Sequence, residues 1–377
     1  MRILYVAPVG ESGASNGGYS FIGNTFDLFF NNLMKNGVVT DYDFINPFLK
    51  KEGQVALIEK YDIGLVLVHP DSFKNANFKT NIEMLKRHCN KFYLHVFWET
   101  SKISKSWNHL FTETLFDGFV ASSDFVVSLI QDKLNEFKSK QTVNKIYPVF
   151  YKDNYKNCKI NIENKSKEKL FTVLYMGQYT KRKGFEDAIT VFTNTFKDEI
   201  DCRLILKYHR LSQVEFPEEE FVKRTVGMNS TLFLPHIYEV TENLNRDQIF
   251  ELYRQSSVCL HLSRGEGFGL VLTETGISGL PLIYADNSSC SEVVGKNRCY
   301  SVSCYQDSAI GMAQYNYDCD SEYGIPSMKE TIVQLRRCYD LWKEDKEKYY
   351  DFDDERQNYV FDKFSEKVVF EQIIKLI

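Results

Sequence analysis

At 377 residues the chain exceeds the usual size of one hydrophobic core, so two domains are expected. Its 43% hydrophobic and 26% charged residues are ordinary for a soluble globular protein, which excludes a disordered or fibrous chain. A net charge of -5 argues against a general polyanion binder, and no apolar run approaches the ~18 residues of a membrane span.

The charge is uneven. Residues 1–165 hold 20 basic and 17 acidic side chains, the remainder 26 and 34, so the first half is mildly basic. Nine cysteines lie scattered without CxxC pairs or metal-ligand spacing, which predicts reduced thiols, a cytoplasmic setting and no metal centre. Met1–Val9 is apolar but short, with no cleavage site, and reads as a first strand, not a signal peptide. Peripheral membrane contact stays open, though no basic amphipathic helix announces it.

In chain order, short apolar runs alternate with helical stretches, the pattern of βαβ units and parallel sheets. The first half predicts strands at Arg2–Pro8, Ile63–His69, Lys91–Phe97, Gly118–Ser122 and Lys145–Phe150. Helices are expected over Tyr19–Lys35, Asn108–Phe116 and Phe125–Phe137. The polar stretch Tyr151–Lys169 is the candidate linker. A second series follows, with strands at Phe171–Met176, Arg203–Lys207, Thr231–Pro235, Val258–Ser263 and Pro281–Ala285. Its helices fall at Phe185–Phe196, Arg246–Arg254 and Leu270–Ser278, with a charged loop over His209–Ser230. Ser327–Ile377 is mostly helical, anchored by Trp342 and Phe361. The expected domains are 1–165, Rossmann-like and acceptor-binding; 166–350, Rossmann-like and nucleotide-sugar-binding; and 351–377, a helix packing back on the first. The ligand roles in that division come from the resemblance described below.

Arg264-Gly265-Glu266-Gly267-Phe268-Gly269-Leu270 to Glu274 is the most informative segment. It is a strand–loop–helix unit with glycines at the turn. Unpaired N–H groups and the positive dipole end at such a helix start suit a phosphate. Gly267 and Gly269 let backbone approach a ligand where a Cβ would block it. Glu266 stands at the loop mouth, and Glu274 about a turn into the helix.

These residues, with the E-x7-E spacing, Thr273-Glu274 and Gly279-Leu280-Pro281, resemble the donor site of family 4 glycosyltransferases, the glycosyl transferases group 1. The resemblance implies an α/β chain of GT-B fold, two Rossmann-like domains facing a cleft, with a C-terminal helix returning to the first domain. It implies acceptor binding by the first domain and donor binding by the second. The expected reaction is retaining, metal-independent transfer from a nucleotide-sugar, UDP-sugar favoured, to a hydroxyl of a glycan or glycoconjugate. The nucleotide-sugar is a co-substrate, so no cofactor is expected.

The resemblance also assigns residues. Gly177-Gln178-Tyr179-Thr180-Lys181-Arg182-Lys183-Gly184 is similar to the segment whose basic pair grips the donor diphosphate. Lys183 matches the family lysine. Gln178 stands where an arginine is usual, which leaves Arg182 or Lys181 as its replacement. Gly177, Arg182, Lys207, Gly267, Phe268, Gly269, Leu270 and Glu274 are the donor-binding candidates, with Glu274 accepting from the ribose hydroxyls. Arg264 is a further candidate for the diphosphate. Glu266 lies near the transferred sugar and, with Lys183 and His95, makes up the catalytic set.

In the first half, the Gly17-Gly18 loop and Trp98-Glu99, with Trp107 beyond, are acceptor candidates. The two tryptophans would stack on a sugar or base face. Ser122-Ser123 resembles a family turn, but Ser123 reads more simply as a helix cap. Thr241–Arg246 lies where the family pattern meets the nucleobase. Three other readings stay open here: a viral-type glycosyltransferase of hydroxymethylated DNA bases, a non-catalytic sugar-nucleotide-binding module, and a GT-B epimerase or phosphorylase.

Overall fold

The computed structural model describes residues 1–8, 18–48, 60–209, 236–310, 317–351 and 354–377. The chain divides into two compact units. Unit 1 comprises Met1–Tyr151, Asn316–Ser321 and Asp362–Ile377; unit 2 comprises Lys152–Tyr315 and Glu322–Phe361.

Unit 1 is built on six parallel strands: β1 Arg2–Val6, β2 Asp41–Ile45, β3 Tyr61–Leu67, β4 Cys89–Val96, β5 Gly118–Ala121 and β6 Thr142–Lys145. Their order is β2-β1-β3-β4-β5-β6. The central strands are buried on both faces, as in Ile3–Val6 and Gly64–Leu67, so they read as continuous apolar runs and not alternating ones. Helix Gly18–Lys35 covers the sheet with Ile22, Phe26, Phe29, Phe30 and Leu33, one stripe at helical spacing.

Two departures from expectation have physical causes. Edge strand β2, sequence DYDFI, is only partly buried, so no apolar run announces it. The run expected as strand Lys145–Phe150 pairs only to Lys145. Pro148 offers no N–H to a ladder. Ile146, Tyr147, Val149 and Phe150 are buried all the same. Tyr147 stands edge-on to Phe364 at 5.0 Å, and the Phe150 N–H donates to the Phe364 carbonyl at 3.0 Å. The C-terminal helix Glu366–Ile374 is tied to the same unit. Tyr93 donates its hydroxyl to the Leu376 carbonyl at 2.9 Å, and the Tyr147 N–H donates to Gln372 Oε1 at 2.9 Å.

Unit 2 repeats the design. Strands β7 Phe171–Gln178, β8 Cys202–His209, β9 Ile237–Val240, β10 Val258–His261, β11 Leu282–Ala285 and β12 Cys299–Val302 form a parallel sheet ordered β12-β11-β10-β7-β8-β9. A small antiparallel pair, β13 Cys304–Ser308 and β14 Glu322–Pro326, stands apart from it. The strand order reverses between β7 and β10, where an open α/β sheet gathers its ligands. Helix Met328–Glu344, capped by Ser327, buries Leu335, Cys338, Tyr339 and Trp342. Trp342 packs at 5.5 Å against Phe171.

The stretch expected as a linker carries a helical turn Lys152–Tyr155 and a short α-helix Ile162–Ser166, and Tyr155, Cys158, Ile160 and Lys165 are buried. The expected strand Thr231–Pro235 and most of the expected loop His209–Ser230 lie outside the described residues. Among the described residues no helix is long and apolar enough to cross a membrane.

Phe364, fully buried, holds the terminal segment where Phe361, only half-buried, was expected to. Phe364→Ala should cost about 3–5 kcal/mol, whereas Phe361→Ala should cost well under half of that. Urea unfolding of the two variants beside wild type measures the difference.

Candidate active site

Two loops meet at the carboxyl ends of β7 and β10. After β7, Thr180 caps a short turn Lys181–Lys183. Gly184 (φ 72°) then opens helix Phe185–Thr195. A Cβ on Gly184 would stand 2.4 Å from the Leu262 carbonyl oxygen, so only glycine lets this loop lie against the end of β10. The Arg264 N–H donates to the Arg182 carbonyl at 2.7 Å and ties the loops together. After β10, Gly269 (φ 96°) starts helix Leu270–Ser278 and has no side chain of its own to cap the first N–H groups. That end carries the partial positive charge of the helix dipole.

The contact gathers a buried charge cluster. Lys183 Nζ lies 2.5 Å from Glu266 Oε1, Arg182 Nη1 lies 3.9 Å from Glu266 Oε2, and Arg182 donates to the Gly265 carbonyl at 2.7 Å. His261 Nε2 approaches Glu266 Oε1 at 3.3 Å. The Glu266 backbone is held as well: its N–H donates to Ser288 Oγ, and its carbonyl accepts from Ser289 Oγ, both at 2.8 Å. Burial alone would raise the Glu266 pKa, but Lys183, His261 and Arg182 together hold it well below the usual carboxylate range. Burial lowers the His261 pKa against the pull of Glu266, so its ring is neutral at pH 7. Arg182 and Lys183 thus face one carboxylate, four residues before the start of helix Leu270–Ser278. Such a place suits an anion.

Further along the helix, Glu274 is 8% exposed and already engaged. Arg246 Nη1 donates to Oε1 at 2.7 Å and the Tyr253 hydroxyl to Oε2 at 3.2 Å. The Arg246 guanidinium lies over the rings of Tyr155 (4.8 Å) and Phe250 (4.9 Å). A carboxylate has about four acceptor positions, so these two donors leave capacity for others.

The remaining candidates of unit 2 divide. Arg182 is buried and turned to Glu266, whereas Lys181 is exposed. Gly177 packs closely, since a Cβ there would stand 2.9 Å from the Tyr175 hydroxyl. Gly267 and Phe268 are buried in the loop, and Leu270 is half-buried. Lys207 is 2% exposed and donates to the Glu242 carbonyl at 3.1 Å; burial pushes its pKa down. Arg264 is taken by Asp187, 2.8 Å from Nη2, and so faces a carboxylate of its own unit instead of a ligand.

In unit 1, Trp98 does not present a stacking face. It is 2% exposed, donates to the Lys102 carbonyl at 2.7 Å and packs on Trp107 (4.5 Å) and Tyr317 (5.4 Å). Trp107 is equally buried and donates to Asp71. Both are core residues, because apolar area of that size gains more from burial than from waiting for a ligand. Glu99 is half-buried and accepts from the Tyr317 hydroxyl at 3.5 Å. His95 is fully buried, with Nε2 2.8 Å from Ser122 Oγ and its ring stacked on Phe97 at 4.7 Å. Burial lowers its pKa to about 3. Ser123 caps helix Asp124–Glu136. Gly18 is exposed at the start of its helix, and Gly17 lies outside the described residues.

Sequence reasoning missed His261, Tyr253 and the serine pair Ser288-Ser289. His261 had left a signal, a polar residue inside the apolar run Val258–Leu262. The other three become site residues only through contacts far along the chain. Among the described residues no group of three or more His, Cys, Asp or Glu is arranged to hold a metal ion.

Residues 158–312 match the family model of glycosyl transferases group 1. No curated protein sequence matches the chain. Among solved structures, a glycosyltransferase from Rickettsia africae ESF-5 is 15% identical over 100% of this chain and 97% of its own, with a TM-score of 0.62. Anabaena HepE in complex with UDP and glucose is 14% identical over 100% and 98%, with a TM-score of 0.61. An E. coli structure described as trehalose-6-phosphate bound with UDP-2-fluoro glucose is 9% identical over 100% and 98%, with a TM-score of 0.64. At these identities the likeness is one of fold.

Two outcomes are expected from the geometry. Gly184→Ala should destabilise the protein by about 2 kcal/mol or more, from left-handed strain of about 1–2 kcal/mol together with the clash on Leu262, as read by denaturant midpoint. His95 has a native pKa near 3 against about 6.5 unfolded, so below pH 6.5 the unfolded state binds the extra proton. Its contribution is intact above pH 6.5 and falls by about 1.4 kcal/mol per pH unit on acidification towards pH 3. Stability measured from pH 7 to pH 4 should therefore fall less steeply in His95→Gln than in wild type.

Proposed function

From a chain whose residues 158–312 match the glycosyl transferases group 1 family and whose two parallel-sheet units have the GT-B fold, we propose a glycosyltransferase. It moves a sugar from a nucleotide-sugar, a UDP-sugar first among them, to a hydroxyl of a glycan or glycoconjugate, with retention and without a metal. The observation that carries this reading is the cluster of Arg182, Lys183 and Glu266, with Glu266 four residues before the start of helix Leu270–Ser278.

Each part of that arrangement has a task in the proposed reaction. The bond from the sugar to the donor phosphate breaks, and negative charge grows on the leaving diphosphate. Arg182, Lys183 and the helix start supply fixed positive charge where it grows. Such preorganised donors stabilise the transition state more than the ground state. Glu266, kept ionised by the same cations, faces the sugar as a hydrogen-bond acceptor or as an anion opposite developing positive charge. Glu274 takes the ribose hydroxyls on acceptor positions left by Arg246 and Tyr253. The UDP named with the Anabaena and E. coli neighbours supports uridine as the base to try first. All nine cysteines carry free thiols, which fits a cytoplasmic enzyme drawing on a nucleotide-sugar pool.

The test is transfer or hydrolysis over a panel of UDP-, GDP-, ADP- and dTDP-sugars, in buffer with and without EDTA. One preferred donor, used equally with EDTA, is expected. Glu274→Ala should weaken donor binding about tenfold or more, and Glu266→Ala should lower kcat far more than it changes donor affinity. Donor binding without turnover would leave a binding module, and a strict divalent-ion requirement would overturn the metal-independent mechanism.

A further inference from the structure

His261 closes β10, and the strand's alternation decides where it points. Val258, Leu260 and Leu262 enter the hydrophobic core of unit 2, so Cys259 and His261 face the other side of the sheet. The imidazole is 4% exposed. Its Nε2 lies 3.3 Å from Glu266 Oε1, the oxygen that also meets Lys183 Nζ at 2.5 Å. No hydrogen bond of good alignment reaches that nitrogen. A buried ring nitrogen left so costs free energy. A hydrogen bond to Glu266 Oε1, 3.3 Å away, would remove that cost.

We infer that His261 is a positioning residue for Glu266: its ring donates through Nε2 to Oε1, shares that oxygen with Lys183, and leaves Oε2 to Arg182 and the ligand. The inference rests on the role proposed above for Glu266. Charge explains why histidine suits the place. The charges that act on it include those of Glu266, Lys183 and Arg182. A third cation here would compete with Lys183 for the carboxylate, whereas a neutral ring adds a donor and no charge. Protonating the ring would upset that balance, so transfer should decline on the acid side.

Two measurements on the full chain decide this. The first is NMR of protein carrying nitrogen-15 histidine, with the His261 signal, one of seven, identified by its loss in His261→Gln. His261 should be neutral at pH 7. It should protonate at a lower pH in Glu266→Gln than in wild type, because the carboxylate that favours the imidazolium has gone. Identical titration in both proteins would overturn the pairing. The second is steady-state transfer. His261→Leu should lower kcat about tenfold or more with donor KM changed less than about threefold, the loss a missing hydrogen bond to a charged group produces. His261→Gln, which returns an N–H near the Nε2 position, should recover to within about threefold of wild type and lose the acid decline. Wild-type kcat in His261→Leu, or equal loss in both variants, would sink the positioning role. If wild type uses no donor of the panel, the proposed function fails, and the NMR result alone accepts or rejects the His261–Glu266 pairing.

Discussion

The centre of unit 2 depends on keeping one carboxylate charged out of water. Glu266 is 6% exposed, and a buried carboxylate is tolerated only when paired. Its partners Arg182 and Lys183 lie on a loop more than eighty residues earlier in the chain. The two loops must therefore touch, and they touch at Leu262. That contact leaves no room for a Cβ at Gly184. A glycine, a backbone approach and an ion cluster are thus links of one requirement.

The neighbouring basic side chains have partners away from that point. Arg264, two residues before Glu266, is neutralised by Asp187. Lys207 is spent on a backbone carbonyl. Arg246 is balanced by Glu274 and held flat against Tyr155 and Phe250. Arg182 and Lys183, by contrast, share the carboxylate of Glu266. Partnered in this way, the other cations do not blur the field at the helix start.

Unit 1 spends its aromatic residues differently. Trp98 and Trp107 lock a loop into the core, and Phe364 seats the end of the chain beside Tyr147 and Phe150. His95 lies sealed between Phe97 and Phe26, with its Nε2 on Ser122. The cost of this choice appears on acidification, when a sealed imidazole cannot take the proton that an unfolded one accepts.

The order of strands and helices, the doubling of the sheet and the glycine-bracketed glutamates were legible in the sequence, because each leaves a local pattern. Apolar runs mark strands buried on both faces, a 3.6-residue stripe marks Gly18–Lys35, and glycine marks the turn at Gly269. Apolarity, though, reports burial and not pairing, so Ile146–Phe150 was read as strand although Pro148 denies it a ladder. Edge strand β2 was hidden for the converse reason. Other matters were decided only by the tertiary structure: that Arg182 and not Lys181 turns inward, that Arg264 goes to Asp187, that Trp98 is core, and that His261 meets Glu266. A residue's type declares what it can bind, but which partner it finds depends on contacts between segments far apart in the chain, and those exist only once the loops have folded together.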